Sequence, residues 1–182
     1  MDGKVDVKGI ELELHNLGRL YTNQGKLAEA EKMFIRALEG TEEALGPDHT
    51  STLDIVNNLG LLYADQGKLA EAEKIYIQAL QGYEEALGPS HTSTLEIVNN
   101  LGNLYANQGK LAEAENMYIR ALEGKEEALG PDHTSTLGTA NNLGLLYLAK
   151  ASWPRPRLCT LRYCEATRRH LASDLYLLIY RR

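Results

Sequence analysis

Histidine recurs at a fixed interval of 42 residues, at His49, His91 and His133. Each one follows a Gly-Pro-Asp or Gly-Pro-Ser turn and precedes Thr-Ser-Thr, so all three occupy the same kind of loop. Imidazole is a common zinc ligand, and ligands of one zinc ion lie about 2 Å from it. Side chains one repeat apart should be too distant for that, so the spacing predicts a local role in the turn.

Other reactive side chains lack the neighbours that a catalytic or metal site requires. Cys159 and Cys164 are separated by four residues, and no second pair completes a metal site. Gly67–Lys68 lacks the upstream glycine spacing and the following Ser or Thr of a phosphate-binding loop. No Ser–His–acid or Cys–His arrangement stands out, and the glutamates of the phrase KLAEAE form a helix face predicted to be solvated. The sequence predicts a protein that is not an enzyme and holds no cofactor or metal.

Asparagine recurs with a spacing that suits a different chemistry. Asn16, Asn58, Asn100 and Asn142 each stand directly before a Leu-Gly pair. A side-chain amide both donates and accepts a hydrogen bond, as each residue of an extended peptide backbone does. Such amides can therefore pair with an extended peptide backbone.

The elements that carry these residues are repeats. Leu17 begins the phrase LGRLYTNQGKLAEAEKMFIRALEG, similar phrases begin at Leu59 and Leu101, and a shortened one begins at Leu143. The interval is 42 residues each time. Self-similarity at such a period indicates stacked supersecondary units that bury their apolar faces against each other.

Each unit is predicted to contain two helices. In the second repeat the first helix covers about 51–66, the second covers about 68–87, and Gly67 supplies the left-handed turn between them. Ser51 with Asp54 is predicted to cap the first helix, as is Ser93 with Glu96. A glycine inside each first helix predicts a close helix–helix approach beside the tyrosine three places on. These glycines are Gly18, Gly60, Gly102 and Gly144.

The order within each unit is L-G-x-x-Y, followed by a small, an aromatic and a small residue. In the second repeat these are Leu59, Gly60 and Tyr63, then Ala72, Tyr76 and Ala79. The unit resembles the tetratricopeptide repeat, and its 42-residue length resembles the kinesin-light-chain-like subfamily. The resemblance implies an all-α fold, an α–α superhelix of three helical hairpins plus a fourth, incomplete repeat. It implies a non-catalytic scaffold that recognises an extended protein or peptide segment in a groove lined by the first helices.

The groove can be placed by comparing the second and third repeats, residues 51–92 and 93–134, which are identical at 33 of 42 positions. Three of the nine differences, at positions 54, 61 and 65, share one helix stripe with position 58. In the family, the asparagine before the Leu-Gly pair contacts the bound peptide backbone, and Asn57, Asn99 and Asn141 beside it are expected to bond between repeats. The predicted groove residues are Asn16, Arg19, Asn23, Asp54, Asn58, Leu61, Asp65, Glu96, Asn100, Asn103, Asn107 and Asn142.

The charge of this stripe predicts the kind of guest. Asp54, Asp65 and Glu96 are acidic and only Arg19 is basic, whereas some family members bind a C-terminal carboxylate with several cations. The expected guest is therefore a neutral or basic segment. The alternative is that the amides are simply solvated or bridge adjacent repeats.

The overall charge excludes some partners. The net charge is −6, with residues 1–149 carrying −12 and residues 150–182 carrying +6. An acidic array argues against nucleic acid or an anionic membrane as the main partner. No apolar run approaches the roughly 20 residues of a membrane helix, and the first residues lack a signal-peptide layout, so a cytoplasmic location is expected.

The repeat pattern stops abruptly after Tyr147. Suitable codons for residues 150–157, read one base out of register, encode GKLAEAE, which predicts that 150–182 is an aberrant, frameshifted fourth repeat. The alternative is a genuine divergent tail. Exposed apolar residues at this broken end would favour self-association. The predicted domains are an array at 1–149 and this tail, with repeats at about 10–45, 50–88 and 92–130 and a fourth first helix at 134–149.

Three other functions stay open at this point. The chain could be the sensor end of a signalling NTPase of the NB-ARC or NACHT type, which carry similar arrays. It could be a kinesin light chain-like cargo adaptor, although no heptad-patterned segment precedes the array. It could also be a truncated product without a function.

Overall fold

The structure, a computed structural model, describes residues 7–152 and consists there of seven α-helices without strands. The helices form three consecutive hairpins and one further helix, which confirms the all-α class and the stacked hairpins. Their bounds are α1 Val7–Asn23, α2 Leu27–Leu45, α3 Thr50–Asp65, α4 Leu69–Leu87, α5 Thr92–Asn107, α6 Leu111–Leu129 and α7 Thr134–Ser152.

Each hairpin turn is closed by a glycine in the left-handed region. Gly67 has a φ of 74°, as predicted, and Gly25 and Gly109 repeat that geometry. The glutamate that ends each KLAEAE phrase is not simply solvated, because Glu31 accepts a hydrogen bond from Gln66 Nε2 at 3.0 Å. That bond and Lys68 hold the pKa of Glu31 below its ordinary value, against the opposing effect of its partial burial. The turn of one repeat is thereby tied to the second helix of the repeat before it.

The first helices α3, α5 and α7 are capped by histidine rather than by the predicted serine and acid. His49 is the N-cap of α3, and its Nδ1 accepts the Ser51 backbone N–H at 3.1 Å. His91 and His133 cap α5 and α7 through Ser93 and Ser135 in the same way. The predicted pairs Ser51–Asp54 and Ser93–Glu96 are wrong because each helix begins at the threonine before the serine. The local turn role predicted for the histidines is confirmed.

Three of the four glycines inside the first helices, Gly18, Gly60 and Gly102, do lie at close helix contacts. A methyl group on Gly60 would come within 2.7 Å of the Tyr76 ring, and Gly102 faces Tyr118 in the same way. The predicted partner was wrong, because the aromatic ring comes from the second helix of the hairpin and not from Tyr63. Phe34 takes this position against Gly18 in the first repeat.

Hairpins stack so that each second helix packs between its own first helix and the next one. The helix α2 contacts α3 as well as α1, α4 contacts α5 as well as α3, and α3 also contacts α1 and α5. Two buried clusters result, one joining α2 to α3 and the other joining α3, α4 and α5. The first helices therefore form one continuous row of neighbours across the hairpins.

The chain divides into two compact units, residues 1–143 and residues 144–182. Within the first unit, α7 reaches α6, because Lys125 Nζ lies 3.1 Å from Thr139 Oγ1. The part of the second unit that is described is the end of α7, where Leu145 and Leu148 are exposed. The cysteines and the rest of the predicted frameshifted tail lie outside the described residues.

Candidate functional site

The predicted groove residues all lie on first helices, and five of them surround one depression. This depression has a volume of about 180 Å³ and lies between α3 and α5. Ala64, Leu104 and Tyr76 complete its walls. The five predicted residues are Leu61, Asp65, Asn100, Asn103 and Asn107.

Two of the residues that line the depression, Asn103 and Leu61, occupy equivalent positions in the third and second repeats but differ in hydrogen-bonding capacity. Tyr118 donates its hydroxyl hydrogen to Asn103 Oδ1 at 2.7 Å. The position equivalent to Asn103 beside Tyr76 is Leu61, which offers no acceptor. Burial raises the pKa of Tyr76 far above its usual value, and the negative charge of Asp65 adds to that effect. The Tyr76 hydroxyl therefore stays neutral, and it interacts electrostatically with the Asp65 carboxylate.

The asparagines before the Leu-Gly pairs form an asparagine ladder between repeats. Asn100 Nδ2 donates to Asn57 Oδ1 at 3.0 Å, and Asn142 Nδ2 donates to Asn99 Oδ1 at 3.3 Å. The expectation that Asn57 and Asn99 bond between repeats is confirmed. The donors of these bonds, Asn100 and Asn142, are two of the residues predicted to bind a guest backbone. One amide hydrogen of each therefore bridges adjacent repeats, which is the alternative that the sequence left open. Asn100 is only 7% exposed and still lines the depression.

Two of the three predicted groove carboxylates already have partners. The Tyr83 hydroxyl donates to Asp54 Oδ1, and Lys125 Nζ forms an ion pair of 2.8 Å with Glu96. The side chain of Lys125 is 2% exposed, an unusual burial for an ammonium group. Sequence reasoning missed Lys125. The available signal was that the equivalent residues, Tyr83 in the second repeat and Thr41 in the first, are uncharged. Of the three predicted groove carboxylates, Asp65 is therefore the one that lines the depression.

The three predicted groove residues of α1 are exposed and lie outside the depression. Asn16, Arg19 and Asn23 are on α1, one repeat before Asn58, Leu61 and Asp65. Arg19 occupies the position of Leu61, and Asn23 that of Asp65. The surface between α1 and α3 consequently has a different charge from the depression.

A second depression, of about 400 Å³, is more open and lies elsewhere. It is formed by Pro89 and Ser90 of the loop before α5 and by the outer face of α6. Arg120, on its wall, pairs with Glu84. None of the predicted groove residues lines it.

The ladder ends at a histidine in the first repeat. His15 takes the place of Asn57, and its Nε2 lies 2.6 Å from Asn58 Nδ2. The ring of Phe34 packs edge-on against it at 5.9 Å between centroids. Burial lowers the pKa of His15, Arg19 lowers it further, and Asp54 opposes them. The folded protein thus favours neutral His15, whose Nε2 can accept the amide hydrogen.

We expect acidification to weaken this first rung of the ladder. The unfolded chain binds the proton more tightly, with an ordinary pKa of 6.5, so the stability from neutral His15 is complete above pH 6.5 and is lost as the pH falls below it. The loss should approach one hydrogen bond, about 1 kcal/mol. Urea unfolding between pH 7.5 and 5 should show a steeper decline in the wild type than in His15→Asn, which carries the residue of the later rungs. Equal declines would contradict the assignment.

Neither a metal site nor a membrane helix is found among residues 7–152. No three His, Cys, Asp or Glu side chains in this range are grouped so that they could hold a metal ion. None of the helices in the same range combines the length and the apolarity needed to cross a bilayer.

Known proteins with related sequences or folds share this architecture. The tetratricopeptide repeat family model matches residues 11–85, 51–126 and 93–154, which together cover most of the chain. No curated protein matches the sequence significantly. Among solved structures, BtubC (BKLC) from P. vanneervenii superposes with a TM-score of 0.78 at 22% identity, over 100% of this chain and 69% of that one.

Two further structures have related repeats. A kinesin light chain-like protein of P. anserina, with nearly identical TPR-like repeats, has a TM-score of 0.69 at 24% identity, over 76% of this chain and 66% of its own. The first TPR domain of Spaghetti (RPAP3), bound to the HSP90 peptide SRMEEVD, has a TM-score of 0.57 at 25% identity. That match covers 83% of this chain and all of that domain.

Proposed function

Because the chain belongs to the tetratricopeptide repeat family, we propose that it is a protein-binding scaffold that holds an extended segment along its row of first helices. The observation that carries the proposal is the depression between α3 and α5, where five of the predicted groove residues meet. It offers a guest both an apolar wall and amide groups with remaining hydrogen-bonding capacity. The Spaghetti domain, which has a similar fold, is bound to a peptide.

The binding mechanism is preorganised hydrogen bonding without turnover. The asparagine ladder holds Asn58 and Asn100 in place through their contacts with the preceding repeat. Asn58 Nδ2 also donates to the Asp54 backbone oxygen at 3.0 Å, so its amide oxygen is the group that a guest backbone can use. Asn100 keeps a second amide hydrogen as well as its amide oxygen. Side chains that are already ordered lose little entropy on binding, which favours affinity. The protein needs no catalytic group or cofactor for this role.

The guest is a neutral or basic segment rather than an acidic one. The charge of Glu96 is balanced by Lys125, whereas Asp54 keeps its charge and uses one carboxylate oxygen to accept a hydrogen bond from the Tyr83 hydroxyl. Asp65 stands beside the depression, one repeat away from the single groove cation, Arg19. The other functions considered from the sequence, and self-association through Leu145 and Leu148, stay predictions.

The proposal is tested by probing an array of random 12-residue peptides with the full chain and with Leu61→Arg. Arginine fits this helix position, since Arg19 occupies it in the first repeat, but it fills the depression and adds a charge. We expect binding of the selected peptides to weaken about tenfold, the loss of a central contact worth about 1.4 kcal/mol. Ladder residues are less suitable, because alanine at Asn58 or Asn100 would also disturb repeat packing.

The matched control is Ile77→Arg on the outer face of α4. Ile77 and Leu61 are similarly exposed, at 41% and 39%, so the two variants cost the fold a similar amount. Peptide binding should be unchanged in the control. If both variants bound peptides as the wild type does, the first helices would not be the binding surface.

A further inference from the structure

The depression between α3 and α5 is lined by both apolar and polar side chains. Leu61, Ala64, Leu104 and the ring of Tyr76 supply apolar wall, and the amides of three asparagines lie around it. Asp65 is the single carboxylate among its lining residues. Such a mixture suits a side chain that has a long apolar stem and a polar tip.

The carboxylate of Asp65 is not matched by a cation at this site. No ion pair within 4 Å is formed by Asp65 with any residue in 7–152. The two other acidic residues of the groove differ, because Glu96 has Lys125 and Asp54 has the Tyr83 hydroxyl. A guest cation would therefore gain a partner at Asp65 without displacing one.

Resting on the proposed function, we propose that this depression binds a lysine side chain of the guest segment. The four methylenes of lysine lie along Leu61, Leu104 and the Tyr76 ring, and the ammonium group reaches Asp65. An ammonium has three donors, which the carboxylate and the amide oxygens of Asn103 and Asn107 can accept together. The compact ammonium on its flexible stem can reach the carboxylate and these amide oxygens together, whereas the planar guanidinium of arginine needs acceptors in a fixed fork geometry.

The pocket is particular to the second repeat, so it sets the register of the guest. The residues equivalent to Asp65 are Asn23 and Asn107, and those equivalent to Leu61 are Arg19 and Asn103. No other repeat combines an apolar wall with a carboxylate at these two places. A guest with one lysine should consequently be aligned on α3 and α5 rather than shifted by a repeat.

The experiment uses the full chain and the peptides selected by the random 12-residue array. We expect lysine to be enriched in them at one position, and its replacement by norleucine, which keeps the four-carbon stem, to weaken binding about fivefold. In Asp65→Asn, lysine and norleucine peptides should bind equally. This variant places the residue of the first and third repeats in the second, so the fold tolerates it. Asp48→Asn, an equal charge change in an exposed loop, should leave the lysine preference intact.

The outcomes separate this inference from the proposed function. Peptides that bind without lysine, or a lysine preference that survives Asp65→Asn, would overturn the lysine pocket. If the binding of these peptides were still weakened by Leu61→Arg, the proposal that the first helices form the binding groove would be retained. Binding insensitive to both substitutions would overturn the groove as well as the pocket.

Discussion

Replacing Tyr76 with alanine is expected to lower the free energy of unfolding by about 4 kcal/mol, the typical cost of removing a large buried aromatic side chain. The ring is 1% exposed, and it fills the space that Gly60 leaves between α3 and α4. It belongs to the cluster that joins α3, α4 and α5, so the cavity would lie at the contact between two repeats. Urea unfolding followed by circular dichroism measures the change.

Tyr76→Phe is the matched control for this substitution. Phenylalanine keeps the ring and occupies the same place at Phe34 in the first repeat. Since Leu61 offers the hydroxyl no acceptor, its loss should cost well under the value for alanine. A small effect of Tyr76→Ala would mean that the repeat closes over the missing ring, and the close contact at Gly60 would not be needed for stacking.

Replacing Glu96 with alanine is expected to cost about 3 kcal/mol, which is large for a carboxylate that is half exposed. The reason is its partner, because Lys125 would stay buried with only the Thr139 hydroxyl beside it. Removing one member of a buried ion pair typically costs 3–5 kcal/mol, and the exposure of Glu96 places this case at the lower end. Asp54→Ala should cost less, since it leaves behind a neutral phenol at Tyr83.

The equivalent residues of the preceding junction suggest substitutions that should reduce the cost of Glu96→Ala. The junction between the second and third repeats has Tyr83 and Ile97, where the junction between the third and fourth has Lys125 and Thr139. Lys125→Tyr combined with Thr139→Ile would give the later junction the less polar chemistry of the earlier one. We expect this pair to be neutral or stabilising, and to reduce the cost of Glu96→Ala to that of Asp54→Ala. An additive cost in the triple variant would show that Lys125 is not the cause.

The helical hairpins could be predicted because two near-identical repeats show the same pattern of apolar residues, glycines and turns. Helix bounds in the second repeat agree with the structure within about two residues. The glycines also pointed correctly to a close contact, but its partner was wrong. Tyr63 is near Gly60 in sequence, whereas Tyr76 approaches it from another helix, and only tertiary packing decides between them.

Electrostatic partners were the part of the site that sequence could not supply. Histidine is not a preferred N-cap, so the sequence pattern favours the adjacent serines as the helix starts. Lys125 was one difference among nine, and its burial depends on Glu96 and Thr139 meeting it from two other helices. A signal was present in the joint change from Tyr83 and Ile97 to Lys125 and Thr139. Paired differences between internal repeats are thus a guide to side chains in contact.

The pairing of a carboxylate with its partner inside one hairpin has a consequence for the gene. The second and third repeats share the phrase GKLAEAE, and unequal recombination there would delete 42 residues and fuse α3 to α6. Asp54 would then face Lys125, with Thr139 still following, so a negative group would again meet the buried cation. Such an array could shorten or lengthen over generations without creating an unmatched charge in its interior.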